Sequence, residues 1–142
     1  MLVNLTPHPI KIFAEGGKVE VPPSGITVRL NPEMKVVGGI KLAQDGKAIH
    51  IPIEEVEYKD LVFLKEGKEI PTEEAVEGIR KGHEVWETLF IIVPQLIAPK
   101  AEELAQLLAP CFIVAPNTNR AVRDENGRII GVKSLLLLAK KI

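Results

Sequence analysis

One cysteine in 142 residues excludes an internal disulfide. Cys111 stands in the apolar run CFIVA, where a free thiol packs as a small hydrophobe, and a reducing, cytosolic compartment is the expectation. Aromatic residues make up only 4 % of the chain, and no basic stretch is interleaved with them. That argues against single-strand nucleic-acid binding by base stacking, and nothing marks a double-strand reader, so no nucleic-acid partner is expected. Charge of neither sign dominates: 18 Lys and Arg stand against 19 Asp and Glu, a formal net charge of −1. No overall field draws in polyanions or an anionic membrane, and any anion site must be local.

Long hydrophobic runs are missing as well. LFIIVPQLIAP is broken by proline and LLLLA is too short to cross a bilayer, so no membrane partner is expected. The opening MLVNLTPHPI lacks a basic start followed by an apolar core and does not read as a signal peptide. Catalytic signatures are absent too. Gly16, Gly17, Gly38 and Gly39 spell neither a phosphate loop nor a dinucleotide fingerprint, and Ser24 and Ser134 stand in no strand-to-helix elbow. His8, His50 and His83 match no familiar zinc spacing, and neither metal nor cofactor is expected.

What is present centres on residues 89–124: an apolar strand (LFIIV), a helix (APKAEELAQLLA), a second apolar strand (CFIVA) and a polar loop (PNTNRAVRD). The helix carries Ile97, Ala101, Leu104, Ala105 and Leu108 on one face, Lys100, Glu102, Glu103 and Gln106 on the other, with Pro99 in its first turn and Pro110 ending it. Strand, crossover helix and strand of this length make a βαβ unit with parallel strands. Ligands of open parallel sheets collect at the strands' carboxyl ends, here residues 93–95 and 116–120.

Ahead of this unit the chain reads as β-structure. VNLTPHPIKIF starts a strand whose Pro7 and Pro9 confine it to an edge, residues 19–21 form a second, Pro22, Pro23, Ser24 and Gly25 make a rigid turn, and residues 26–30 complete a small meander. Residues 34–64 stay β, with a turn at AQDGKA and a bulge or bend at Gly38 and Gly39. A short helix follows, capped by Thr72 and carrying Glu73 and Glu74 in its first turn, weakened by Gly78 and Gly82. After the central unit, Asn126 and Gly127 suit a two-residue hairpin turn that pairs residues 121–125 with 128–138. The expectation is a single α+β domain over 1–142: a β-rich half (1–64), a helix and loop (65–88), and a βαβ plus hairpin half (89–142).

Asn4, Leu5, Thr6, Pro7 and His8, the later Pro22, Pro23, Ser24, Gly25 and Arg29, the strand at 89–93, and the run of Pro116, Asn117, Thr118, Arg123, Asp124, Gly127, Arg128 and Gly131 together resemble a group of small bacteriophage and prophage proteins with an N-terminal NLTPH motif. Motif order matches across most of the chain, and residues 65–87 look like an insertion. More distantly, the group is similar to phage anti-defence proteins that sequester cyclised nucleotide messengers without cleaving them. What the resemblance implies is non-enzymatic capture of a nucleotide-like anion.

Candidate chemistry lies in two places. His8, with Asn4 and Thr6 beside it, reads either as a general base or metal ligand, or as a ring hydrogen-bonded to backbone at a sheet edge. Arg120, Arg123 and Arg128, next to Asn117, Thr118 and Asn119, offer planar donor forks for phosphate or carboxylate; the alternative pairs Arg123 with Asp124 or Glu125 and leaves the others solvated. The ligand-binding set is therefore Asn4, Thr6, His8, Arg29, Asn117, Thr118, Arg120, Arg123 and Asp124. Glu54, Glu55, Glu73 and Glu74 read as exposed charge. Three functions compete: a non-enzymatic binder of a small anionic molecule, a hydrolase or transferase using His8 with Asp124 or Glu57, and an assembly protein built through its edge strands and the apolar 135–138 run. A homo-oligomer is expected in both non-enzymatic cases. Abundant Lys, Glu, Ile and Val give the composition a thermophile character.

Overall fold

A computed structural model describes residues 1–142 and has an α+β fold of three sheets and two α-helices. The chain divides into two compact units, Met1–Arg29 with Leu61–Ile142, and Leu30–Asp60.

The first unit is built on two four-stranded sheets. Strands β1 (Leu2–Asn4), β7 (Leu89–Ile92), β8 (Cys111–Pro116) and β11 (Leu135–Lys141) form one, in the order β1-β7-β8-β11. β1, β7 and β8 run parallel and β11 returns antiparallel to β8. Between β7 and β8 the chain passes through a 3-10 stretch, Gln95–Lys100, and helix α2 (Ala101–Leu108). The βαβ unit is thus present, but its α-helix starts three residues later than the apolar spacing predicts. Pro99 has no N–H to give to an α-helical ladder, so the segment around it winds as 3-10.

This arrangement explains why β7 and β8 are apolar: parallel strands flanked by layers are buried along most of their length, with Phe90 the exposed exception. Alternation sends Leu89, Ile91, Cys111 and Ile113 to the side of α2, whose Ala105 carbonyl accepts from the Cys111 thiol at 3.5 Å. Ile92 and Val114 point the other way and pack with Ile12, Val21 and Val132 of the second sheet. Phe90 and Phe112 stack beside them, centroids 4.9 Å apart.

The second sheet comprises β2 (Ile10–Ala14), β3 (Gly17–Val21), β9 (Ala121–Arg123) and β10 (Ile129–Val132), in the order β3-β2-β10-β9. The expected meander is therefore corrected. β2 and β3 form a hairpin, but β1 leaves to join β7 in parallel and the strand after Gly25 belongs to a third sheet. Burial drives the separation, since Val3 and Leu5 are inside the first sheet's layers and a solvated meander would expose them. β2 meets β10 side by side, and Gly131 lets them approach: a Cβ there would lie 2.5 Å from Phe13 Cε2 and 2.7 Å from the Lys11 carbonyl oxygen.

The carboxyl-terminal hairpin is also corrected. Rather than a two-residue turn, Asp124 folds over its loop, its Oδ1 accepting from the amides of Asn126 (2.9 Å) and Arg128 (3.0 Å), with Gly127 at φ +78°. The strand after the turn ends at Val132, and Leu135 begins β11 in the other sheet. The Asn117 amide, donating to the Ser134 carbonyl (3.0 Å), marks the crossover. Leu135 packs against the core between the sheets, whereas Leu137 is exposed.

Helix α1 (Thr72–Arg80) has Pro71 as its N-cap, with no side-chain cap bond; Thr72 is the first helical residue. Proline's preset φ of −61° and an extended ψ of 150° start the helix without a hydroxyl. Gly82, at φ +84°, lies just past the C-cap, where the left-handed conformation ends helices at little cost.

The third sheet joins β4 (Ile26–Gln44), β5 (Lys47–Lys65) and β6 (Lys68–Ile70). Residues 30–60 of β4 and β5, the second unit, are a two-stranded ribbon closed by Asp45 and Gly46, both at positive φ (52° and 75°) as the tight hairpin turn demands. β4 runs as strand through Gly38 and Gly39.

Candidate functional site

Parallel pairing brings the carboxyl ends of β1, β7 and β8 to one edge of the first sheet. The Leu5 amide donates to the Ile92 carbonyl (2.9 Å) and the Val93 amide to that of Val114 (2.8 Å), which aligns the three strand ends. Three loops leave from this edge: residues 5–9, 93–95 and 116–120. Gln95 ties two of them, its Nε2 donating to the Pro116 carbonyl at 2.9 Å and lying 3.4 Å from Thr118 Oγ1.

Two of the sequence-predicted site residues are consumed in building the first loop. Asn4 is 1 % exposed; its Nδ2 donates to the carbonyls of His8 (2.8 Å) and Val21 (3.1 Å). Its Oδ1 accepts from the Thr6 amide (2.9 Å) and hydroxyl (2.7 Å), and that hydroxyl is also 2.9 Å from the His8 carbonyl. An amide side chain with both donor and acceptor ends fits this position because the loop presents both kinds of backbone group. Asn4 and Thr6 therefore shape the loop that carries His8, while the His8 side chain is exposed.

In the third loop Asn117 caps a 3-10 turn, Thr118–Arg120, accepting from the Asn119 amide at 3.2 Å and donating to Ser134 Oγ at 3.0 Å. Thr118 and Arg120 are exposed. A groove of about 200 Å³ opens beside them, lined by Pro9, Lys11, Pro116, Thr118, Ile130 and Gly131 among others. Lys11 is half-buried in β2 and takes part in no ion pair of this unit, nor does Arg120.

The remaining candidates stand apart. Arg123 donates from Nη1 to the Gly127 carbonyl (2.7 Å), which replaces the expected pairing with Asp124 or Glu125. Asp124 is engaged in its own turn, so its carboxylate is not offered to His8. Arg29 is exposed on β4, in a different sheet. Glu54, Glu55, Glu73 and Glu74 are exposed.

Sequence reasoning missed Arg80. Its guanidinium reaches the carbonyls of Glu87, Leu108 and Pro110, each at 2.7 Å, and so joins the 81–87 segment to the carboxyl end of α2, where the helix dipole favours a cation. Lys11 was legible only as one member of an alternating strand. A concavity of about 550 Å³ lies against α1 and carries Lys65, Lys81 and His83 together with Glu74 and Glu77. His83 Nδ1 is 2.6 Å from Glu87 Oε2. Charges of both signs offset each other on that surface, whereas the smaller groove has a lysine and no carboxylate. Burial pushes the Cys111 thiol up to about 11, with Arg80 opposing the shift, so this cysteine is a protonated core group and no nucleophile.

No protein-family model, no curated protein and no solved structure matches the chain.

Proposed function

We propose that this protein works by binding rather than turnover, holding a small anionic, nucleotide-like molecule at the carboxyl edge of its parallel sheet. The observation that carries this reading is the groove beside the loops after β1 and β8, where Lys11, Thr118 and the neighbouring Arg120 supply donors and no carboxylate competes for them. His8 sits on the adjoining loop without an acidic partner to make it a base, which favours capture over hydrolysis. Pro9, Ile130 and Gly131 provide an apolar wall for a ring, and the cations suit phosphate. Resemblance to nucleotide-sequestering phage proteins supports the same reading.

Calorimetric titration with inorganic phosphate, a mononucleotide and a cyclic dinucleotide tests it, with the ligand recovered afterwards by chromatography. Binding is expected for a phosphate ester, with the ligand returned intact. Lys11→Ala and Arg120→Ala should each weaken it by about tenfold or more, the effect of losing a charged hydrogen bond. A new product, or no heat with any of the three at millimolar concentration, would overturn the reading.

A second reading, assembly, is favoured by the apolar surface of the Leu30–Asp60 ribbon.

A further inference from the structure

A two-stranded ribbon has two faces and no interior, so it cannot bury its own side chains, and isolated hairpins are marginal in water. The Leu30–Asp60 unit nevertheless carries Met34, Val36, Val37, Ile40, Leu42, Ile49, Ile51, Ile53 and Val56, every one of them between 39 % and 61 % exposed. The two-residue turn at Asp45 and Gly46 sets Gln44 opposite Lys47, so Leu42 opposes Ile49 and Ile40 opposes Ile51 on one face, with Ile53 continuing it by alternation. Beyond the Gln44 and Lys47 pair at the turn, that face presents Leu42, Ile40, Ile49, Ile51 and Ile53, the pattern of a strand pair meant to be covered.

Alternation puts Met34 and Val36 on the same face and Val37 and Val56 on the other, so seven of the nine side chains share it and leave on the order of 600 Å² open per chain, at the top of the ~300–600 Å² patch of an ordinary monomer and approaching the ~800 Å² per partner of a stable interface. Charge along the ribbon says what covers it. On the apolar face the turn end carries Lys47. The base of that face carries Glu55 and Glu57, while Lys59 is held by Glu33 at 2.9 Å. A ribbon basic at its turn and acidic at its base complements a second ribbon laid against it in the opposite direction, and an identical chain supplies one with the same width and the same apolar stripe.

We propose that two copies of this chain associate through their 30–60 ribbons, antiparallel and apolar face to apolar face, with Lys47 at each turn beside Glu55 and Glu57 at the other's base. The association goes beyond ligand capture and holds whether or not the groove is filled. Sedimentation equilibrium of the full chain should give twice the chain mass at micromolar concentration. Ile40→Lys with Ile51→Lys should raise the dissociation constant by about a hundredfold or more, while circular dichroism reports a retained fold. Two charge variants make the test independent of that substitution: one chain with Lys47→Glu, another with Glu55→Lys and Glu57→Lys. Each alone should associate more weakly, because both contacts become like-charged, and an equimolar mixture should recover a one-to-one heterodimer. A wild-type monomer, a dimer untouched by the isoleucine substitutions, or charge variants that do not prefer each other would overturn the proposal.

Discussion

Replacing Asn4 by aspartate changes one atom and should be among the most damaging substitutions in the chain. In the native loop Nδ2 points at two carbonyl oxygens, those of His8 and Val21, at 2.8 and 3.1 Å, with almost no access to water. A carboxylate there loses both donations and sets a negative charge against two oxygen dipoles. Each abandoned buried acceptor costs ~1–3 kcal/mol, the single Thr6 hydroxyl proton, 2.7 Å from Oδ1 and 2.9 Å from the His8 carbonyl, goes to the carboxylate, and the poorly paired buried charge adds to this. A loss of about 3–5 kcal/mol at pH 7 follows, or roughly 10 °C in Tm for a chain of this size. The sign of the pH dependence is specific. Burial and the facing carbonyls raise the folded carboxyl's pKa above the unfolded value of about 3.9, so the variant's penalty is smallest below that value and grows as pH rises through the folded pKa. Asn4→Ala, which leaves the Thr6 amide and the Val21 carbonyl unpartnered, should cost about 2–4 kcal/mol with no matching pH term. Urea unfolding of wild type and both variants at pH 4.5 and 7, at one protein concentration, measures this. Equal and pH-independent losses for the two variants would refute the reasoning, as would losses below about 1 kcal/mol.

Gly131→Ala should destabilise by about 1–3 kcal/mol, because the new methyl group meets Phe13 and the Lys11 backbone at the β2–β10 seam and overpacking of this kind forces strand movement; thermal unfolding checks it, and a neutral effect would mean that the strands are more loosely paired. Cys111 should react with a thiol reagent at pH 8 far more slowly in the native chain than in urea. Stability should also fall as pH rises from the thiol's ordinary range near 9 toward about 11, where the unfolded chain ionises and the folded one does not. Cys111→Ser should remove that alkaline dependence.

The βαβ unit was legible because its cues are local and agree: two continuous apolar runs, an amphipathic stretch between them and Pro110 at the boundary. The Asp45 and Gly46 turn was legible for the same reason, a dipeptide whose backbone angles a tight hairpin needs. Sheet membership was not. The alternation that makes residues 2–4 a strand says nothing about whether the neighbour is β2, five residues on, or β7, more than eighty residues away. Likewise the Leu135–Leu138 run reads equally as the end of a hairpin or as a strand of its own, and the choice is made by Ser134 and Asn117 across the crossover. At the candidate site, sequence pointed to the loops after β1 and β8, which the fold brings to one edge of the sheet, but misjudged which side chains are free. Asn4, Thr6 and Asp124 look like ligand groups in one dimension; in three they close the turns that contain them. Arg80 left no mark at all, since its partners are carbonyls, which every residue has.

A native mass spectrum of the full chain purified from cells tests the central claim most directly, because it weighs the assembly and any captured molecule together. A mass of two chains plus a small phosphorylated compound, released unchanged on denaturation and reduced in Lys11→Ala, is the result predicted. A bare single chain that stays bare and single when a mononucleotide or cyclic dinucleotide is added would contradict it.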